Sequence, residues 1–218
     1  MRPCSKPISR SDLDKKALIP EQRLPKEGKR KVVFLDRDGT INVEKGYIID
    51  PQEIELAPLA GASISSLNRQ GIPVIVITNQ AAIEKGLLTV ETFEKINEKL
   101  WNDLQAVNAH YDALYYCPHS PEITAECLCR KPKSGLFLQA ARDFNIDLPA
   151  SFMVGDKLTD VKAGRSSGCK TVLLLSGLKT KPGTIGFDDG TLPPDFICET
   201  LAQAMDWILP QILENNSL

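Results

Sequence analysis

A short apolar run that ends in two carboxylates, at residues 31–40 (KVVFLDRDGT), constrains the fold of this chain most strongly. Residues 32–35 are β-branched or large and apolar, which predicts a buried strand. Asp36 and Asp38 follow it at once. Ionised carboxylates are costly to bury unless they are paired or bound to metal. Because ligands bind at the carboxyl ends of strands in an open parallel sheet, we expect these two residues to hold a cation and take part in chemistry.

The chain after this run alternates short apolar segments with amphipathic ones. Strands are predicted at residues 32–35, 73–78, 112–116, 151–154 and 171–175. Helices are predicted at residues 57–69, 90–107, 135–144, 157–167 and 201–213, the last with a candidate break at Pro210. This alternation predicts βαβ units and a three-layer, Rossmann-like α/β fold with a parallel sheet. Since one turn region and one helix fill the stretch from Asp38 to Thr78, we expect no cap domain.

The 218 residues suit one sizeable domain, which we place at residues 31–218. Residues 1–30 are polar, basic and proline-rich, and we expect an extension of mostly irregular structure. The formal net charge of −2 gives no general attraction to nucleic acid or an anionic membrane. The amino-terminal residues lack the apolar core of a secretory signal. We expect a cytoplasmic monomer that binds neither nucleic acid nor membrane.

Polar side chains also follow other predicted strands. Thr78 and Asn79 end the second strand with a hydroxyl and an amide, both suited to phosphate oxygens. Asp156 ends the fourth, and Asp160 lies one helical turn later, where it could face the same way. Each motif alone is commonly a turn or a helix cap. Their joint order on successive strand ends, with Lys131 as a fixed positive charge, favours Mg²⁺-dependent phosphoryl transfer to water through an aspartyl-phosphate.

The spacing of Asp36 and Asp38 also predicts the direction of the Arg37 side chain between them. If Asp36 and Asp38 both point into one crevice, Arg37 points away from it. Asp38 could protonate the leaving oxygen and then activate water, provided that its pKa is raised.

Three of the six cysteines cluster with a histidine: Cys117, His119, Cys127 and Cys129. Three thiolates and one imidazole suit tetrahedral structural zinc, with no position left for a catalytic water. Zinc would fold a loop that ends directly in Arg130 and Lys131, and so would fix the positions of two cations. The alternative is a set of buried cysteines beside a surface histidine.

The order DRDGT, TN, Lys and GDxxxD resembles that of haloacid dehalogenase-like phosphatases. The longer motifs DRDGTINVxxGY, TNQ, YYCPHxP, CxCRKP and MVGDKLxD are similar to those of bacterial D-glycero-D-manno-heptose 1,7-bisphosphate 7-phosphatases, over about residues 31–210. The resemblance implies that Asp36 is the nucleophile and Asp38 the general acid and base. It implies that Mg²⁺ is held by Asp36, the backbone carbonyl of Asp38 and Asp156, and that zinc is held by the four clustered residues.

The same resemblance assigns the remaining site residues. Thr78 and Lys131 would stabilise the transferring phosphoryl group. The substrate site would be lined by Glu44, Lys45, Gly46, Tyr47, Asn79, Gln80, Ala81, Arg130 and Lys157. The implied substrate is a small phosphorylated sugar, heptose 1,7-bisphosphate, which would lose its 7-phosphate.

The chain departs from the family after TNQ, where Ser-Gly-Ile-Ala-Arg-Gly is common and residues 81–86 read AAIEKG. Ala81 removes a hydroxyl, and Glu84 and Lys85 replace a small residue and an arginine. A lysine gives up the bidentate phosphate contact of arginine. Alternative functions are therefore a histidinol-phosphate phosphatase, another small sugar-phosphate phosphatase, or a zinc-stabilised binding protein without catalysis. The presence of every catalytic residue disfavours the last.

Overall fold

The computed structural model of the protein describes residues 8–9, 28–124, 126–175 and 192–214. Within them the strands form a single sheet in the order β1-β4-β3-β2-β5-β6-β7. These strands are β1 (Ile8–Ser9), β2 (Val33–Leu35), β3 (Val74–Asn79), β4 (Ala113–Cys117), β5 (Phe152–Gly155), β6 (Lys170–Leu174) and β7 (Phe196–Cys198). All neighbouring strands are parallel except β1, which pairs antiparallel with β4 at the sheet edge.

Helices cover both faces of this sheet. They are α1 (Ala60–Arg69), α2 (Ala81–Glu84), α3 (Val90–Ala106), α4 (Gly135–Phe144), α5 (Leu158–Ser167) and α6 (Leu201–Glu214), with 3₁₀ turns at Pro51–Glu53 and Leu148–Ala150. Successive β2 side chains enter opposite cores, because strand side chains alternate between faces. Val33 and Leu35 pack in a core with α1, α3 and α6, whereas Phe34 packs in a second core with α4. The expected three-layer α/β fold is confirmed.

All five predicted strands and all five predicted helices are present, with shifted ends and additions. Helix α1 begins at Ala60 rather than residue 57, because Leu59 takes a left-handed conformation (φ 64°). Helix α6 continues through Pro210, so the candidate break was wrong; the buried apolar face of the helix keeps it on the sheet. Strands β1 and β7 and helix α2 were not predicted, since segments of two to four residues carry too little periodicity.

Most of the predicted amino-terminal extension, residues 1–7 and 10–27, lies outside the described residues. Within the extension, Ile8–Ser9 adds the antiparallel edge strand β1. In the part of the chain that the structure describes, no helix has both the length and the apolar character needed to cross a bilayer.

The parallel register brings the predicted polar residues to one edge of the sheet. Strand β2 lies between β3 and β5, and the Asp36 amide donates to the Val154 carbonyl of β5 (2.9 Å). The end of β3 pairs with the end of β4, Asn79 opposite Cys117. Four neighbouring strands therefore deliver Asp36, the Thr78–Asn79 pair, the predicted zinc loop at residues 117–129 (the cysteine loop) and Asp156 to the same edge.

Candidate active site

Three buried carboxylates meet beyond the ends of β2 and β5. One oxygen of each of Asp36, Asp156 and Asp160 lies within 4.8 Å of the others, a grouping that could hold a metal ion. All three side chains are buried. Burial and the nearby Asp36 charge raise the pKa of Asp156 to about 8. Burial raises the pKa of Asp160 to about 6, although the Lys131 charge opposes the change. The cluster therefore needs positive charge.

Lys131 supplies part of that charge from the loop between β4 and α4. Its Nζ lies 2.7 Å from Asp36 Oδ1 and 2.6 Å from Asp160 Oδ1, and it donates to the Ile77 carbonyl (2.6 Å). Burial lowers the pKa of Lys131, but the charges of Asp160 and Asp36 outweigh burial and raise it. Lys131 is therefore a charged, fully engaged side chain that fixes the orientation of Asp36.

The Asp156 carboxylate is buried, with Lys157 Nζ 3.9 Å from its Oδ2, beyond hydrogen-bond distance. Neither of its side-chain oxygens accepts a hydrogen bond within the described chain, and the residue is fully buried. Gly39 forms the wall beside it at φ +85°, and a Cβ built on this glycine would lie 2.2 Å from Asp156 Oδ2. Buried carboxylate oxygens without a donor are the chemistry that a hard cation such as Mg²⁺ satisfies. The donor set therefore fits a magnesium ion.

The start of α5 holds the third carboxylate in place. Asp160 Oδ2 accepts the Lys157 backbone N–H (3.0 Å) at the first turn of the helix. A Cβ on Gly155 would lie 2.4 Å from the Asp160 carboxyl carbon, so the strand end must be glycine for the carboxylate to approach. The GDxxxD spacing placed Asp160 on the correct face, but its contact with Lys131 was not predicted.

Arg37 reaches toward α3, where its NH1 donates to Asn97 Oδ1 (3.4 Å), and it also makes a contact with Asp38 that we did not predict. Its guanidinium, which is buried, folds back onto Asp38, with NH2 2.9 Å from Oδ1 and 3.0 Å from Oδ2. Asp38 also accepts from Asn42 (3.0 Å) and Gln80 (2.8 Å). Burial would raise the pKa of Asp38, but the Arg37 charge and these hydrogen bonds together lower it. The raised pKa that proton donation by Asp38 would require is absent in this arrangement.

The residues at the end of β3 connect the two halves of the site. The Gln80 amide donates to Thr78 Oγ1 (2.9 Å) as well as to Asp38. The Asn79 side chain is bonded in both directions to the Lys131 backbone, donating to its carbonyl and accepting its N–H at 3.1 Å each. Asn79 therefore positions Lys131, whereas we predicted a contact with substrate. Ala81 is buried at the first position of α2.

The loop after β2 carries the other predicted substrate residues. Glu44 Oε2 lies 2.6 Å from Lys157 Nζ, which joins this loop to the Asp156 strand end. Lys45 pairs with Glu55 (2.9 Å) within its own loop. Gly46 turns the chain at φ +78°, and the half-exposed Tyr47 ring follows it.

The cysteine loop forms a compact cluster next to this site. Its four donor atoms, from Cys117, His119, Cys127 and Cys129, lie within 4.8 Å of one another. The closest pairs are 3.2 to 3.6 Å apart, so the thiols are free rather than disulfide-bonded. Donors around tetrahedral zinc are expected about 3.5–3.8 Å apart, which the cluster approaches. Directly after it, Arg130 donates to the His119 carbonyl (3.0 Å) rather than pointing at the carboxylates.

Two residues that bind the site together were not singled out from the sequence. Asn42 donates to Asp38, and Glu84 accepts hydrogen bonds from the cysteine loop, at Ser120 and Thr124. No sequence motif distinguished Asn42 from an ordinary turn asparagine. Glu84 stood out only as a departure from the family pattern.

Comparison with known proteins gives the fold and family that the sequence motifs predict. A family model described as HAD-hydrolase-like matches residues 128–204. The D-glycero-beta-D-manno-heptose-1,7-bisphosphate 7-phosphatase of Haemophilus ducreyi is 34% identical over 184 residues, which cover 82% of this chain and 98% of that protein. The protein of the same name from Helicobacter pylori strain J99 is 36% identical over 181 residues, covering 82% of this chain and 97% of its own.

A solved structure is similar as well. The D,D-heptose 1,7-bisphosphate phosphatase from B. bronchiseptica, complexed with magnesium and phosphate, superposes with a TM-score of 0.74 at 31% identity. The match covers 83% of this chain and 99% of that one. Because relatives at this identity span nearly their whole length on it, the chain belongs to the D-glycero-D-manno-heptose 1,7-bisphosphate 7-phosphatase family of haloacid dehalogenase-like hydrolases.

Proposed function

We propose that the protein is a phosphoric monoester hydrolase that removes the 7-phosphate of D-glycero-D-manno-heptose 1,7-bisphosphate, a step toward lipopolysaccharide heptose. The observation that carries the proposal is the buried group of Asp36, Lys131 and Asp160 beside an Asp156 carboxylate that accepts no hydrogen bond from the described residues. This group suits a dianionic phosphoryl group and a cation, and it lies in a chain of the named family. The names of the relatives support the heptose substrate.

Asp36 is the nucleophile in this proposal. One carboxylate oxygen attacks phosphorus, an aspartyl-phosphate forms, and the bond from phosphorus to the sugar oxygen breaks. Water then attacks the phosphorus, phosphate leaves, and the Asp36 carboxylate is restored. Lys131 holds Asp36 Oδ1 at 2.7 Å, so the nucleophile needs no reorientation, and the ammonium lies close enough to share the charge of the transferred group. The Thr78 hydroxyl, held by Gln80, is a further donor to it.

Asp38 is the general acid and base. In its ionised form it is ready to accept a proton from the attacking water, with Asn42 and Gln80 directing its oxygens. In the first half of the reaction the sugar oxygen needs a proton. The Arg37 contact holds Asp38 ionised, so substrate has to displace that contact and Asp38 has to take up a proton from solvent before it can donate one to the sugar oxygen.

Two metals complete the proposal. Asp36, Asp156 and the backbone carbonyl of Asp38 would hold Mg²⁺, which would neutralise charge on the phosphoryl group. The cysteine cluster would hold structural zinc, with all four positions taken by protein. We propose that substrate contacts Glu44, Tyr47, Arg130 and Lys157. The wall of the substrate site would also include Lys45, Gly46, Asn79, Gln80 and Ala81.

The setting of the enzyme is also a proposal. Residues 31–218 form the catalytic domain and residues 1–30 an extension. Clustered cysteines without disulfide bonds suit a reducing compartment, which supports the cytoplasm. We propose a monomer without nucleic-acid or membrane partners, and size-exclusion chromatography with light scattering tests this.

Relative turnover on a panel of phosphate esters tests the substrate. We expect kcat/KM for heptose 1,7-bisphosphate to exceed that for histidinol phosphate and simple sugar monophosphates, and to fall to background with EDTA. Histidinol phosphate is the informative competitor because residues 81–86 depart from the family pattern. A preference of the enzyme for histidinol phosphate would refute the heptose substrate but not the assignment as a phosphatase. No turnover with any ester would favour the binding protein.

A further inference from the structure

The segment that departs from the family, residues 81–86, contacts the cysteine loop. Glu84 ends α2, and each oxygen of its carboxylate accepts one hydrogen bond from that loop. Oε2 accepts the Ser120 backbone N–H at 2.6 Å, and Oε1 accepts the Thr124 hydroxyl at 2.6 Å. The Glu84 backbone N–H also donates to the Pro118 carbonyl (3.3 Å). Hydrogen bonds to a charged acceptor are stronger than neutral ones.

These contacts fall on the part of the loop that the metal ligands do not hold. Ser120 and Thr124 lie between His119 and Cys127, the inner members of the two ligand pairs. Ser120 is fully buried. A tetrahedral metal would fix the two ends of this stretch, whereas Glu84 attaches the residues between them to α2.

The neighbouring Lys85 adds a weaker contact on the same side. Its Nζ lies 2.6 Å from Glu122 in the cysteine loop and 5.5 Å above the Tyr47 ring. Glu122 is largely exposed, and an exposed ion pair contributes little to stability. Lys85 therefore extends the contact of α2 toward the Tyr47 loop, while Glu84 makes the stronger attachment.

We propose that Glu84 is a positioning residue, a metal-independent anchor that holds the cysteine loop in place and thereby helps to set Lys131. The loop runs from its last cysteine directly into Arg130 and Lys131. Its middle is held by Glu84 and its end by Asn79, so Lys131 remains aligned with Asp36 when no metal occupies the cluster. Only the activity readout of this inference depends on the proposed function.

Limited trypsin digestion of the full chain, before and after zinc removal by a chelator, tests the anchor. Cleavage after Arg130 reports opening of the loop and requires no substrate. For Glu84→Ala we expect this cleavage in the metal-free protein to be about tenfold faster than in the parent, the size expected for losing a hydrogen bond to a charged group. Zinc release to the chelator should accelerate by a similar factor.

Two further variants separate positioning from general damage. Glu84→Gln keeps one carbonyl acceptor for Ser120 and offers an amide donor to Thr124, so it should restore most of the protection. Glu91→Ala is the matched control, since Glu91 is an exposed glutamate paired only with Lys95 on α3 among the contacts described. It should behave like the parent.

The activity readout is a split between kinetic constants. Because Lys131 acts on the reacting carboxylate, Glu84→Ala should lower kcat more than it raises KM, and Glu84→Gln should recover kcat. Cleavage and zinc release in Glu84→Ala equal to those of Glu91→Ala would overturn the proposal, whatever the substrate proves to be. Normal cleavage with altered kcat would also overturn it, because Glu84 would then act without the loop. If the purified protein carries no zinc, comparing the rates of trypsin cleavage in Glu84→Ala and Glu91→Ala still tests the proposal.

Discussion

Replacing Lys131 with methionine should destabilise the fold as well as stop catalysis. The ammonium contacts Asp36 and Asp160 at 2.7 and 2.6 Å, and its side chain is almost fully buried. Removing one partner of a buried ion pair costs about 3–5 kcal/mol, because the remaining charge is left without compensation. Two carboxylates lose their partner here, so we expect about 4 kcal/mol. For a chain of this size that corresponds to a fall in Tm of about 8–16 °C.

Urea denaturation in EDTA measures this loss, and two further variants define its cause. Lys131→Met combined with Asp160→Asn should be more stable than Lys131→Met alone, because the second change removes an uncompensated charge. Lys95→Met is the matched control: that lysine is exposed and its contact with Glu91 is a surface pair, so the change should cost less than about 1 kcal/mol. A Lys131→Met variant as stable as Lys95→Met would refute the role of Lys131 as the counter-ion of the cluster.

Three other changes test separate parts of the site. Asp36→Asn should abolish phosphate release while leaving the circular dichroism spectrum unchanged, and near-normal release would refute the nucleophile assignment. Gly39→Ala should cost more stability than Gly46→Ala by urea denaturation, because both have positive φ but only Gly39 faces an atom, Asp156 Oδ2, within 2.2 Å of the added Cβ; equal losses would contradict the close packing. Cys127→Ser should reduce bound zinc, measured by plasma emission spectrometry, and lower Tm; unchanged zinc content would show that the ligand set is wrong.

Much of the fold follows from residue patterns because each long element carries a repeated signal. The buried runs that became β2 and β3 are apolar on both faces, as parallel strands between two helix layers must be. Helix α3 shows apolar residues at helical spacing from Phe93 to Leu104. Short elements such as β7 carry no such signal, and their pairing depends on the finished sheet.

The site follows from the sequence only as far as backbone position decides it. Strand ends place Asp36, Thr78 and Asp156 at one edge, so their proximity could be predicted. Side-chain direction could not: Arg37 turns back onto Asp38, and Asn79 turns to the Lys131 backbone. Both side-chain directions depend on hydrogen-bond partners from other parts of the chain, which no local sequence pattern predicts.

Trapping the covalent intermediate tests the central claim most directly. The enzyme is mixed with heptose 1,7-bisphosphate and Mg²⁺, quenched in acid within the first turnover, and reduced with borohydride, which converts an aspartyl-phosphate to homoserine. Mass spectrometry of the peptide that contains residues 32–37 should show homoserine at position 36, with heptose 1-phosphate as the product. Release of phosphate with Asp36 unmodified at every quench time, or modification at another carboxylate, would contradict the mechanism.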